Sequence, residues 1–149
     1  MQKDEKRILV VEDDPAIRTL LLTVLRRRGF AVDTAANGAE ALERLGQCSY
    51  VLMLLDLMMP VLSGWQVLEH LSASDAATRP AIILLTAGTE PRDFNPDLVV
   101  GTIRKPFDVE LLYDTVAGCM SVLRSRRQVA DCPSADSDER PQTRTDREN

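Results

Sequence analysis

Residues that would hold a soft metal ion are scarce in this chain. Its three cysteines, Cys48, Cys119 and Cys132, are far apart, odd in number and without metal-ligand spacing. No thiolate centre is therefore expected, and two of them read as small hydrophobes in or beside the core. The sole histidine, His70, falls on a helical stretch with no partner in view and is expected at the surface. No apolar run approaches the roughly 18 residues of a membrane helix. The start, MQKDEKR, is charged and leads straight into a strand rather than a signal peptide, so a cytoplasmic protein is expected. A basic stripe is also missing. The net charge is −5, and from Arg124 onward six arginines stand against six acidic residues. The whole excess therefore belongs to residues 1–123, with 12 basic and 17 acidic side chains. Such a surface disfavours non-specific contact with nucleic acid, which rests on Lys and Arg neutralising phosphates.

What is present is one domain's worth of chain, arranged around VLMLLDLMMPVLSG from Val51 to Gly64. An apolar run, Val51 to Leu55, ends on a single carboxylate, Asp56. Such a run bounded by a polar break reads as a fully buried strand of a parallel sheet, and its C-terminal end is the edge at which open α/β folds build their sites. On this stretch alone, a turn role for Asp56 is the lesser alternative.

The rest of the chain repeats the pattern. Arg7 to Val11 is a first strand ending on Glu12, Asp13 and Asp14. Asp14 as N-cap and Pro15 at the first helical position start a helix with Ile17, Leu20, Leu21, Val24 and Leu25 on one face, and Gly29 stops it. Phe30 to Ala35 reads as a second strand nearer an edge, and Asn37 caps a short helix ending near Gly46. A helix from Gly64 to Leu71 carries Trp65, Leu68 and Leu71, and Ala81 to Leu85 is a fourth strand ending on Thr86. Leu98 to Ile103 is a fifth strand, ending at Arg104, Lys105 and Pro106. Asp108 then caps a last helix with Leu111, Leu112, Thr115, Val116, Cys119 and Leu123 along one face. Between Thr86 and Leu98, prolines at 91 and 96 leave room only for a short or irregular fourth helix. The alternation predicts an α/β fold with a doubly wound, five-stranded parallel sheet. Residues 1–6 read as an N-terminal extension, 7–125 as the domain and 126–149, polar and charged, as a disordered tail.

Four strand ends then carry polar groups to one edge: Glu12 and Asp13, Asp56, Thr86, and Lys105. Three carboxylates in one place repel unless a cation or proton intervenes. An oxygen-only ligand set suits Mg²⁺, which takes one or two carboxylates plus phosphate oxygens. A hydroxyl and an ammonium beside it suit a phosphoryl group, with Asp56 as the nucleophile and Lys105 and the metal stabilising charge. Read singly, Glu12, Asp13 and Asp14 could be only a solvated helix start.

These residues resemble the receiver domains of two-component response regulators. The likeness runs from ILVVEDDP at Ile8 through ANGAEAL at Ala36, LLDLMMPVLSG at Leu54 and LLTAG at Leu84 to KPF at Lys105. The resemblance implies the flavodoxin-like receiver fold with strand order 2-1-3-4-5. It also implies a phosphoacceptor role for Asp56 and contacts from Thr86 and Lys105 to the phosphoryl oxygens. Asp13 would be a metal ligand, with Glu12 beside it acting through water, and Met58 would lend its backbone carbonyl to Mg²⁺. The Lys105–Pro106 bond would be cis. A histidine kinase or histidine phosphotransfer protein would be the donor.

The chain departs from the family pattern in two places. Thr102 stands where an aromatic switch residue is usual, and the interval from Thr86 to Lys105 is short. Switching would then need another movement, such as reordering of residues 87–97. No output domain is expected after residue 125, so signalling by protein contact, without nucleic acid or membrane, is the leading expectation. The protein is expected to be no enzyme beyond self-catalysed phosphoryl transfer and autodephosphorylation. The alternative is a degenerate receiver used as a docking module without phosphorylation. A haloacid-dehalogenase-type phosphatase fits less well, because Met58 occupies the position of that family's second aspartate.

Overall fold

Five short apolar segments form the centre of the molecule, each followed by polar residues that turn the chain. The computed structural model describes residues 7–59, 61–74, 79–88 and 97–124. The strands are β1 (Arg7–Val11), β2 (Ala31–Ala35), β3 (Leu52–Asp56), β4 (Ala81–Thr86) and β5 (Val99–Arg104). The helices are α1 (Pro15–Arg27), α2 (Gly38–Gln47), α3 (Gly64–Ser72) and α4 (Val109–Arg124). All strand pairs are parallel and the order is β2-β1-β3-β4-β5, the expected doubly wound arrangement. The expected fourth helix, the N-terminal extension and the tail fall on or within 1–6, 89–96 and 125–149, outside the described residues.

Alternation along the strands decides which side each residue faces. Leu9, Val11, Met53, Leu55, Ile82 and Leu84 face α2 and α3 in one core cluster. Ile8, Val10, Leu52, Leu54, Ile83 and Leu85 face α1 and α4 in the other. β3 is buried along its whole length, as a central strand covered on both faces must be. Each core side chain of this size contributes roughly 1.5–3 kcal/mol by leaving water. Cys48 is buried in the first cluster and Cys119 packs against the second, while His70 is exposed.

The helix starts follow the capping chemistry. Asp14 accepts from the Ala16 and Ile17 N–H groups, and Asn37 from Glu40 N–H. Asp108 accepts from Glu110 and Leu111. Ser63 and Gln66 form a reciprocal capping box at α3. The last helix departs from the sequence expectation. Its buried line is Leu112, Val116, Met120 and Leu123, whereas Leu111 is 60% exposed. The i, i+4, i+8, i+11 positions turn Met120 inward, and Leu111 lies one residue, about 100°, off that line.

One buried polar cluster lies at the β2 edge. Asp33, 6% exposed, accepts from Arg7 Nη2 at 3.0 Å, Arg7 Nε at 3.3 Å and Tyr50 Oη at 2.6 Å. Burial raises its pKa, but the Arg7 and Tyr50 hydrogen bonds outweigh it, so the carboxyl titrates below its ordinary value. The same burial, with the Asp33 charge, pushes the Tyr50 phenol up. Tyr50→Phe is expected to lower stability by about 1–2 kcal/mol, the worth of one hydrogen bond to a charged group that keeps a second partner. Urea titrations at pH 7 and pH 3.5 check it. A depressed carboxylate stabilises above its unfolded pKa and loses that contribution as pH falls, so the difference between variant and parent shrinks in acid.

Candidate functional site

The carboxyl edge of the sheet gathers the polar strand ends. Glu12 follows β1, and its N–H donates to Ala35 O at 3.1 Å, extending the pairing with β2 by one residue. Its carboxylate turns inward and is 1% exposed. Arg18 reaches back from α1, donating to Glu12 O at 2.8 Å and Asp13 O at 3.4 Å. That arginine fixes the acidic turn and was not singled out in the sequence, because only its position one turn into the helix betrays it. Asp14, consumed by capping, contributes only its N–H, which donates to Glu12 Oε2 at 3.2 Å.

Asp56 ends β3 and is 4% exposed. Its Oδ1 accepts from Met58 N–H at 3.2 Å. A close backbone approach sets its height. A Cβ on Gly64 would stand 2.5 Å from Asp56 O and 2.6 Å from Leu57 Cα, and Gly64 N–H donates to Leu57 O at 3.1 Å. Only glycine lets the start of α3 sit this close to the acidic residue.

Lys105 enters from the end of β5, held by its N–H to Thr86 O at 2.7 Å, and the Lys105–Pro106 bond is cis. Its Nζ lies 3.0 Å from Glu12 Oε1 and 3.3 Å from Asp56 Oδ2. The contact with Glu12 is an ion pair without hydrogen-bond direction, so Glu12 Oε1 remains a buried oxygen with no hydrogen-bond partner. Thr86 is buried at the end of β4, one residue beyond the Asp56–Leu85 pairing. An open cleft of about 240 Å³ is lined by Glu12, Asp13, Asp14, Ile17, Asp56, Met58, Ala87 and Lys105. The small Ala87 is at its wall, whereas Thr86, expected at the site, is not among the lining residues.

The electrostatics follow from crowding two carboxylates in a partly dry place. Burial pushes the Glu12 carboxyl up to about 7, against the pull of Lys105, with the Asp56 charge adding to the rise. Burial raises Asp56 as well, opposed by Lys105 and the Met58 N–H. Lys105 is lowered by burial but raised more by its two acidic partners, so its ammonium is held charged. One ligand oxygen each from Glu12, Asp13 and Asp56 lies within 4.8 Å of the others. This oxygen-only set of three carboxylates fits a hard divalent cation.

Residues 8–117 match the family model for the response regulator receiver domain. The chain belongs to this family. The receiver domain is 40% identical over 109 residues to the transcriptional regulatory protein ResD of Bacillus subtilis, covering 71% of this chain and 44% of ResD. It spans about half the length or less of such curated relatives. A CheY-like receiver domain from Methanospirillum hungatei superposes with a TM-score of 0.73 at 30% identity, over 81% of this chain and 98% of that one. The response regulator TrrA of Thermotoga maritima, in complex with Mg²⁺-BeF, gives a TM-score of 0.67 at 37% identity, covering 76% and 98% of the two chains. TrrA has also been solved with the histidine kinase ThkA, where it matches with a TM-score of 0.66 at 37% identity over 77% and 98%.

This receiver domain thus has the five-stranded fold of its neighbours and an acidic cleft at the carboxyl edge of the sheet. At the expected switch position, Thr102 is exposed on β5. Among the described residues, no helix is long and apolar enough to cross a membrane.

Proposed function

We propose that this receiver accepts a phosphoryl group on Asp56 from a phosphohistidine of a histidine kinase or phosphotransfer protein. The observation that carries the reading is the Lys105 ammonium between Glu12 and Asp56, at 3.0 and 3.3 Å. One oxygen of the Asp56 carboxylate attacks phosphorus as the P–N bond to imidazole breaks, and the imidazole leaves with a proton from solvent. Autodephosphorylation is attack by water on the same phosphorus, which breaks the P–O bond to Asp56, restores its carboxylate and releases inorganic phosphate. Lys105 and the Thr86 hydroxyl would steady the phosphoryl oxygens. Asp13 and Asp56, the Met58 carbonyl and Glu12 through water would hold Mg²⁺, which when bound neutralises charge on the transferring group.

The domain spans residues 7–125 in this reading and acts in the cytoplasm. It has no catalytic role beyond its own phosphorylation and dephosphorylation. Output passes by protein contact, because residues 1–123 carry the acidic excess and contact with nucleic acid through this domain is disfavoured. The match covers 48% and 44% of two relatives named as transcriptional regulators, so DNA contact in those chains leaves room for other parts.

Intact-mass spectrometry after incubation with acetyl phosphate tests the proposal. With Mg²⁺ the chain is expected to gain the mass of one phosphoryl group, and with EDTA to gain none. No gain with acetyl phosphate or with a phosphorylated kinase would favour the phosphorylation-independent docking module, to which the exposed Thr102 is the pointer.

A further inference from the structure

The loop between β3 and α3 is held from outside by the first turn of α2. Gly38 opens that helix, and its N–H, one of the donors a helix start leaves free, donates to Leu62 O at 3.2 Å. There is no room between them. A Cβ on Gly38 would lie 2.3 Å from the Leu62 carbonyl oxygen, 2.9 Å from Leu62 Cβ and 2.9 Å from Val67 Cγ2. The nearest of these is backbone, which cannot swing aside as a side-chain tip can. One residue before Leu62, Val61 adopts φ 70°, a left-handed conformation that a β-branched side chain resists. Val61 is 78% exposed, so burial of its side chain gives no compensation for that conformation. The loop's other end is tied where Gly64 N–H meets Leu57 O at 3.1 Å. Between these ties lies Met58, whose N–H holds Asp56 Oδ1.

We propose that Gly38 is a positioning residue for the divalent-cation site: its contact with Leu62 imposes the strained backbone at Val61 and so fixes the loop that carries Met58. This rests on the reading of the cleft as a Mg²⁺-assisted receiver site. Strain persists only where surroundings over-determine the backbone, and here the over-determining contact is the Gly38–Leu62 one. Gly38 touches neither metal nor substrate; it acts through Leu62 and the loop.

A double-variant cycle, with thermal unfolding in metal-free buffer and Mg²⁺ binding by calorimetry, tests the idea. Val61→Gly relieves the strain while Gly38 keeps the loop in place. It is expected to raise the unfolding midpoint by roughly 3–5 °C with Mg²⁺ affinity within twofold of the parent. Gly38→Ala pushes Leu62 away, and Mg²⁺ affinity is expected to fall about tenfold or more, as when a supporting group of a metal site is lost. In the Gly38→Ala background Val61 is no longer forced, so adding Val61→Gly is expected to give little or no further rise. Should Gly38→Ala not fold alone, the double variant, whose loop can yield to the methyl group, is compared with Val61→Gly for Mg²⁺ affinity. Additive midpoint shifts, or unchanged Mg²⁺ affinity when Gly38 is replaced, would overturn the proposal. A parent protein that binds no Mg²⁺ would instead sink the metal reading of the cleft, and the metal-free cycle would still decide whether Gly38 strains Val61.

Discussion

Asp56→Asn is expected to abolish the phosphoryl mass gain while leaving the fold intact. An amide oxygen is a poor nucleophile, and the variant retains the acceptor for Met58 N–H, which now lies 3.2 Å from Asp56 Oδ1. The second consequence is less obvious. Asp56 is one of the charges that raise the Glu12 pKa. Without it, Lys105 has one carboxylate to pair with, and Glu12 ionises more readily. Metal-free thermal stability at pH 7.5 is therefore expected to hold or rise, by up to about 1 kcal/mol, since a buried like-charge repulsion is removed and one ion pair remains. Intact-mass spectrometry and thermal unfolding on the same sample check both halves. A persistent gain of one phosphoryl group would move the acceptor to another carboxylate, with Asp13 the first to examine.

Lys105→Ala is expected to make stability steeply dependent on pH. In the parent, Glu12 titrates near 7 instead of its ordinary 4.5, and Asp56 is also raised. A carboxyl whose folded pKa exceeds its unfolded one binds more protons when folded. Stability is then greatest below the unfolded value and declines as pH rises through the folded one, here between about 4.5 and 7. Lys105 lowers both carboxyl pKa values, so removing it shifts that decline to higher pH and deepens it. At pH 5 a shared proton stands in for the ammonium, and the loss should be under about 1 kcal/mol. At pH 8 two buried carboxylates confront each other, and the loss should reach about 2 kcal/mol. That is less than the 3–5 kcal/mol of a fully buried broken pair, because the Lys105 side chain is 25% exposed and the cleft admits water. Urea unfolding from pH 5 to pH 8 reads the effect, and a parent-variant difference that stays flat across this range would show that Lys105 does not neutralise this pair. Mg²⁺ at millimolar concentration is expected to recover stability in the variant, most at pH 8, where it competes with fewer protons.

The elements visible in the sequence were those with a local signature. The β3 run ending on Asp56, the Asp14–Pro15 helix start and the periodic face of α1, from which Leu20 departs at 42% exposed, all use neighbours within a few residues. The sheet order follows the family pattern, and the four polar strand ends meet because parallel strands share one carboxyl edge. What was hidden depends on partners distant in the chain. Tyr50 and Asp33 are 17 residues apart, and Arg7 and Asp33 26; no periodicity joins them. Arg18 belongs to no motif, and its hold on the Glu12 and Asp13 carbonyls depends on a side chain reaching back five and six residues. Leu111 and Met120 exchanged roles in α4 because the helix offers apolar residues on more than one side, and only the sheet decides which line is buried. Gly38 and Val61 are ordinary letters in sequence, and their interest lies in a contact between α2 and the loop before α3.

The Asp33 cluster also polices alignment. β2 pairs with β1 so that Asp33 sits opposite Leu9, on the α2–α3 side. A slip of β2 by one residue would turn every side chain to the other face. Asp33 would then enter the cluster of Ile8, Val10, Leu21 and Leu25, where an unpaired carboxylate meets only hydrocarbon, a cost of several kcal/mol. The correct pairing instead meets Arg7 and Tyr50. A single acidic residue on an edge strand thus makes the neighbouring misalignments unprofitable during folding, and the acidic cleft at the opposite end of β1 inherits that accuracy, because Glu12 takes its place directly from the same β1–β2 pairing.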